Sequence, residues 1–227
     1  MTAPVTYADG RIVLDDGKVN AFSVPTLNAL LAALDEAADG SGPLVVTSRE
    51  GCLSAGFDLK VFASGDVDAV VEMLALGAEL WARLLEFPRP VVVAAPGHAM
   101  AAAAFVLLAA DVRIGADGLF KVGLNEVEIG LTLPWSALAL AEHRLAPPQL
   151  QRAVLEATLF TPRDAVPAGF LDTVVAPAEL EAATAAAVER LAGLNADAFA
   201  GTKARLNRHV IEAVREGAQR TTAELRG

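Results

Sequence analysis

Val91-Val-Val-Ala-Ala-Pro-Gly-His-Ala-Met-Ala-Ala-Ala-Ala-Phe-Val-Leu-Leu-Ala-Ala110 contains no Asp, Glu, Lys or Arg. A run of about 20 such residues is long enough to cross a bilayer. Three features turn the reading away from a membrane span. Pro96-Gly97-His98 breaks the run near its start, much of the remainder is weakly apolar alanine, and Arg89 and Asp111 stand close to its two ends. A buried strand over Val91–Ala95 followed by a buried helix over Ala101–Ala109 accounts for the same composition. That makes the stretch one strand–helix unit, and its alternation with the short strands and helices around it points to an α/β fold.

The sequence on either side supports that class. Val5–Tyr7 and Arg11–Leu14 flank Asp9-Gly10, the signal of a hairpin. Leu27, Leu30, Leu31 and Leu34 recur at helical spacing, and Gly40-Ser-Gly-Pro43 ends that helix. Leu44–Thr47 is a short strand, and Gly51–Leu59 reads as a turn-rich segment. Val70–Phe87 predicts a long helix stopped by Pro88. Beyond the quoted run, Val112–Ile114 and Phe120–Val122 read as short strands. Trp135–Leu145 and Pro148–Ala157 read as helices, and Thr161-Pro-Arg-Asp164 as a helix start with Gly169 closing that helix. Glu179–Leu191 and Asp197 to about Leu225 are helical by pattern. The expected division is a core over residues 1–190 and a C-terminal helical segment over residues 191–227.

Composition excludes several function classes. The chain has 227 residues, 54% of them hydrophobic and 20% charged, which is too apolar for a disordered protein. Its formal net charge of -10 argues against nonspecific nucleic-acid binding, which needs a basic surface. A single cysteine, Cys52, leaves no internal disulfide and no multi-thiolate metal site. His98, His143 and His209 have no ligand spacing to one another, so no metal is expected. His98 follows a buried strand, where it is either a satisfied buried histidine or a pocket residue. No phosphate-binding P-loop and no dinucleotide fingerprint is present. The N-terminus shows no basic region followed by an apolar run, and the expectation is a cytoplasmic protein with no membrane partner.

Five motifs, taken in order, resemble the crotonase superfamily, whose members act on acyl-coenzyme A thioesters. They are Lys18-Val-Asn-Ala-Phe22; Gly51-Cys-Leu-Ser-Ala-Gly-Phe-Asp-Leu59; Pro90-Val91 through Gly97 to Asp111-Val-Arg-Ile114; Gly123-Leu-Asn-Glu-Val127 with Gly130 and Pro134; and Thr161 through Val174. Each motif alone is weak; their order and spacing are specific. The resemblance implies a spiral of strand–strand–helix units with a helical C-terminal region. It also implies a homotrimer or hexamer, an acyl-CoA substrate, and no cofactor besides the coenzyme A of that substrate.

It further implies particular residues. The shared step is formation of a thioester enolate, with two backbone N–H groups donating to the thioester oxygen. By match these are the N–H groups of Phe57 and Ala102, with Ala55, Gly56 and Asp58 beside the substrate. Where the family is usually glycine-rich, this chain has Ala101-Ala-Ala-Ala104. Hydratases of the family resemble one another in carrying two glutamates. Here the first position is Phe105 and the second is Glu126. One apolar residue with one Glu resembles the Δ3,Δ2-enoyl-CoA isomerases, in which a single base moves a proton from carbon 2 to carbon 4. Glu128 is a candidate accessory if the segment is extended. Lys18 and Lys60 are either coenzyme A contacts or solvated charges. Leu131, Leu133, Pro134 and Trp135 line the acyl pocket or are plain core. The expected activity is 3-enoyl-CoA isomerisation; a substituted hydratase-like enzyme and a silent acyl-CoA binder remain the alternatives.

Overall fold

The computed structural model describes residues 4–227. The chain opens with an antiparallel hairpin of β1 (Val5–Ala8) and β2 (Arg11–Leu14). The first helix, α1 (Val24–Ala38), starts where the Ser23 hydroxyl accepts the Thr26 N–H, with Pro25 in its first turn.

A repeating unit follows. The strands β3 (Leu44–Ser48) and β4 (Gly51–Ser54) lead into α2 (Leu59–Ala63) and α3 (Val67–Glu86). The strands β5 (Val91–Ala95) and β6 (Gly97–Met100) lead into α4 (Ala102–Leu108). The strands β7 (Val112–Ala116) and β8 (Val122–Gly123) lead into α5 (Trp135–Arg144) and α6 (Pro147–Val154). The chain ends with α7 (Pro162–Ala168), β9 (Thr173–Val175), α8 (Leu180–Ala192) and the 31-residue α9 (Ala196–Arg226).

Each unit gives its first strand to one sheet and its second to another. The first sheet has the order β1-β2-β3-β5-β7-β9, and the second has the order β4-β6-β8. Among the described residues every pairing between these strands after the opening hairpin is parallel, and β8 also makes an isolated antiparallel bridge from Val122 to Phe160. The chain therefore advances as a spiral of strand–strand–helix turns, as the motif resemblance implies.

Residue alternation in the six-stranded sheet explains its unbroken apolar strands. Leu44, Val46, Val91, Val93 and Ala95 enter the main core with α1, α3 and α4. Val45, Val92, Ala94, Ile114 and Ala116 face the other way and pack with Leu180 and Leu191 of α8. Both faces are covered, so both sets are apolar. The membrane-like run is thus two buried strands and a buried helix. Among the described residues no helix is long and apolar enough to cross a membrane.

Three expectations are corrected. Gly51–Ser54 forms a strand, not a turn, and Gly97–Met100 forms another where only a break was expected. The cause is a close crossing: a Cβ on Gly97 would lie 2.0 Å from the carbonyl carbon and oxygen of Gly51. Glycines needed for backbone contact imitate turn signals in the sequence. The third strand of that small sheet begins at Val122 rather than Phe120, whose ring instead packs edge-on against His98.

Candidate active site

The three-stranded sheet gathers the site. Its parallel strands end together at Ser54, Met100 and Gly123. The segments leaving those ends are Ala55-Gly56-Phe57, Ala101-Ala102 and Leu124-Asn125-Glu126. Crevices at the carboxyl ends of parallel strands are the usual binding sites of α/β folds. A cleft of about 490 Å³ lies here, lined by Ala55, Phe57, Ala101, Phe105, Glu126 and Trp135, among others.

The first two segments touch. Gly56 has φ +94, and a Cβ there would meet the Ala101 Cβ at 2.7 Å and the Ala102 nitrogen at 3.1 Å. Around this contact nearly every N–H is engaged. Ala55 N–H donates to the Val19 carbonyl at 2.9 Å, Gly56 N–H to the Ser54 hydroxyl at 3.0 Å, and Asp58 N–H to the Phe22 carbonyl at 3.2 Å. Ala101 N–H donates to the Gly123 carbonyl at 2.9 Å. The N–H groups of Phe57 and Ala102 have no hydrogen-bond partner among the described residues. Ala102 opens α4, where an unpaired N–H is intrinsic to the helix start.

The alanines that replace glycine have a visible consequence. Ala101 adopts φ 50, ψ -125, a conformation that a residue with a Cβ rarely takes. Holding it costs about 1–3 kcal/mol. The buried alanines Ala102–Ala104 and Phe105 drive α4 into the core, which offsets this strain.

Glu126 is the buried carboxylate of the cleft. Its exposure is 8%, and its Oε2 has no hydrogen-bond partner among the described residues. Burial pushes its pKa up to about 7, against a smaller opposing pull from the backbone N–H groups of Glu126 and Asn125. Apolar rings line the same cleft: Phe105 and Trp81 have centroids 4.8 Å apart, and Trp81 and Phe57 6.1 Å. A lone buried acid is held neutral more easily than it ionises, which is the physical basis of the shift.

The other expected residues divide. Ala55, Phe57, Phe105, Glu126, Leu131, Leu133, Pro134 and Trp135 all line the cleft. Gly56 and Ala102 are buried just behind that lining. The side chain of Asp58 caps α2 by accepting the Lys60 N–H. Lys18 and Lys60 are exposed and lie outside the cleft lining. Glu128 is also exposed outside it. The accessory role fails its own condition, because residues 126–130 form a turn and not an extended segment. His98 does not line the cleft; its Nδ1 accepts the Lys121 N–H at 3.0 Å. Burial pushes the Cys52 thiol up, away from thiolate chemistry. Among the described residues no three His, Cys, Asp or Glu side chains gather as a metal site requires.

Several cleft residues were not read from the sequence. Trp81 lines the cleft from α3, yet in the sequence it is one more apolar residue of a helix. Gly77 makes room for the Phe57 ring: a Cβ there would lie 2.4 Å from the Phe57 Cζ. A glycine inside a long helix was the available signal. Thr221 and Glu224 of α9 reach the rim, where the Trp135 indole N–H donates to the Glu224 carboxylate at 2.9 and 3.0 Å. Arg220 stacks on the same ring at 3.4 Å.

Residues 10–225 match the family described as enoyl-CoA hydratase/isomerase. The chain belongs to that family. Among solved structures, an enoyl-CoA hydratase from Mycobacterium marinum superposes with a TM-score of 0.92 at 38% identity, covering 98% of this chain and 100% of that one. Human mitochondrial delta3-delta2-enoyl-CoA isomerase superposes with a TM-score of 0.90 at 25% identity, covering 98% and 92% of the two chains. The curated human relative, mitochondrial enoyl-CoA delta isomerase 1, is 27% identical over 194 residues. That match covers 84% of this chain and 64% of the relative, so the chain spans less than two thirds of the relative's length. Family members similar to this chain thus carry both hydratase and isomerase names.

Proposed function

We propose that this family member isomerises 3-enoyl-CoA to 2-enoyl-CoA, with Glu126 as the only base. The observation that carries the reading is the buried Glu126 carboxylate, whose Oε2 has no partner among the described residues, in a cleft where Phe105 stands at the position that the resemblance gives to a second glutamate. The thioester oxygen accepts hydrogen bonds from the N–H groups of Phe57 and Ala102 while negative charge develops on it. Preorganised donors of this kind typically contribute roughly 10²–10³ in rate each. Ionised Glu126 removes a proton from carbon 2, giving the dienolate and the neutral acid. The acid then returns the proton to carbon 4, and the double bond moves into conjugation. A pKa near 7 suits both halves, since the group must accept and release the proton near neutral pH.

Phe105 distinguishes this chemistry from hydration. Adding water across a double bond needs a second group to hold and activate it, and a phenyl ring does neither. The rings of Trp81, Phe57 and Phe105 instead exclude water from the dienolate. Coenzyme A enters as part of the substrate, with Lys18 and Lys60 reaching its phosphates from the surface.

The test is turnover of 3-enoyl-CoA by the wild type and by Glu126→Gln. The variant keeps the shape and loses the base, so kcat should fall by roughly 10²–10⁴ with KM little changed. Wild-type kcat should rise with pH through about 7, because the ionised form abstracts the proton. Hydration of crotonyl-CoA at an ordinary enzymatic rate would favour the hydratase alternative. Binding of enoyl-CoA without any turnover would favour a silent binder.

We infer a homotrimer or hexamer as the working form. Leu119 is fully exposed, Leu206 is 69% exposed and Leu155 is 66% exposed, an apolar load suited to contacts between copies. Light scattering should give three or six times the 23.5 kDa chain mass, and a monomer at micromolar concentration would refute the assembly.

A further inference from the structure

We propose that Asn20 is a positioning residue that aims the Phe57 N–H at the thioester oxygen; this rests on the reading of that N–H as a donor in catalysis. Asn20 is 1% exposed and outside the cleft lining. Its φ is 52, a left-handed conformation that Asn tolerates better than most residues. Its side chain is fully engaged. The Nδ2 group donates to the carbonyls of Leu14 (3.3 Å), Cys52 (3.1 Å) and Leu53 (3.1 Å). The Oδ1 accepts the Asp16 N–H at 2.9 Å, and the Asn20 N–H returns to the Asp16 carboxylate at 2.9 Å.

These bonds fix the short segment from Val19 to Phe22 against the ends of β2 and β4. That segment is the template for the turn bearing Phe57. The Val19 carbonyl accepts the Ala55 N–H, Phe22 N–H donates to the Gly56 carbonyl, and the Phe22 carbonyl accepts the Asp58 N–H. The template thus binds the residues on both sides of Phe57 and leaves the Phe57 N–H unpaired. Asn20 sets where the template lies, because its amide joins β2 of the large sheet to β4 of the small one. Displacing the template by a fraction of an ångström tilts the peptide between Gly56 and Phe57 and swings its N–H. Donor geometry is what such a group contributes to a transition state.

Asn20→Gly is the informative variant, since glycine accepts φ 52 without strain and removes only the side chain. Two measurements are made on the full-length protein. One is the kinetics of 3-enoyl-CoA isomerisation. The other is the infrared carbonyl band of bound butyryl-CoA carrying carbon-13 at the thioester, which moves to lower frequency when the oxygen accepts hydrogen bonds. In the folded variant kcat should fall by roughly 10–10²-fold, below the ceiling for losing a donor outright. KM should change by less than about threefold, because the lost interaction acts in the transition state. The carbonyl band should move back toward its position in water. If Asn20→Gly does not fold, Asn20→Ser carries the same test, removing the amide donors without setting a buried carboxylate against the Leu14, Cys52 and Leu53 carbonyls. A folded variant with reduced melting temperature but wild-type kcat and carbonyl band would overturn the proposal and leave Asn20 purely structural. A wild type whose carbonyl band does not shift on binding would overturn the donor reading of Phe57 itself, a result distinguishable from the first.

Discussion

One wall of the cleft, from Ser54–Phe57 and Ala101–Phe105, offers backbone N–H groups and otherwise only carbon. The other, from Asn125 to Trp135, offers a single carboxylate. The two acquire their properties by different means. The backbone wall depends on position, which comes from the hydrogen bonds of Ala55, Gly56, Asp58 and Ala101 to their neighbours. The carboxylate wall depends on environment, since burial alone lifts Glu126 to about 7. Damage to the first should therefore appear as misplacement and lost stability, and damage to the second as a changed proton affinity.

The largest stability effect is expected where the backbone wall has no spare volume. Gly56→Ala puts a methyl group 2.7 Å from the Ala101 Cβ at a backbone φ of +94. Overpacking and left-handed strain each cost about 1–3 kcal/mol, so the variant should lose roughly 2–6 kcal/mol. Urea denaturation measures this, and a loss below about 1 kcal/mol would show that the two segments separate easily. Glu126→Gln should leave this wall intact.

The carboxylate wall predicts a pH signature in stability. Glu126 has a folded pKa near 7 against an ordinary value of 4.5, so the folded state binds the extra proton between those limits. Stability from this group is therefore greatest below about pH 4.5 and declines as pH rises toward 7 and above. The decline amounts to up to about 3 kcal/mol by linkage. Glu126→Gln removes it. The variant should melt higher than the wild type at pH 8, and the difference should vanish near pH 4.5. Equal melting temperatures at pH 8 would mean that water reaches the carboxylate.

The two walls were not equally legible in the sequence. Ser54-Ala-Gly56 and Gly123-Leu-Asn-Glu126 are local motifs, and Ala55 and Glu126 from them line the cleft. The α/β class was legible from the alternation of short strands and helices, of which Val91–Ala95 followed by Ala101–Ala109 is one unit. The strands β4 and β6 were not, because Gly97, which lets the two backbones approach, and Gly51, which has φ +85, both read as turns. Glu128 shares no face with Glu126, because a spacing of two places side chains together only in extended backbone, and residues 126–130 turn. The rim contributed by Thr221 and Glu224 left no local trace at all. They meet Trp135 across nearly 90 positions of chain, by tertiary packing of α9 on α5.

The smallest effect expected is also the most diagnostic of the backbone wall, since Gly56 and Ala101 face each other with unequal side chains. Both have positive φ, yet only one is glycine. Ala101→Gly removes the strain of φ 50, ψ -125, while the unfolded chain gains the freedom of an extra glycine. Relief of about 1–3 kcal/mol against an entropic cost of about 0.5–1 kcal/mol predicts a net stabilisation of about 1 kcal/mol. The same change takes away the methyl group that a Cβ on Gly56 would strike. The Gly56→Ala loss should therefore be smaller in the Ala101→Gly background, a positive coupling that a double-mutant cycle measures. If the Ala101 methyl also crowds the thioester, KM for 3-enoyl-CoA falls in Ala101→Gly while the pH dependence of kcat, set by Glu126, stays where it was. Strictly additive losses would mean that the two segments yield independently, and the close contact between them would then not be what holds the Phe57 and Ala102 N–H groups together.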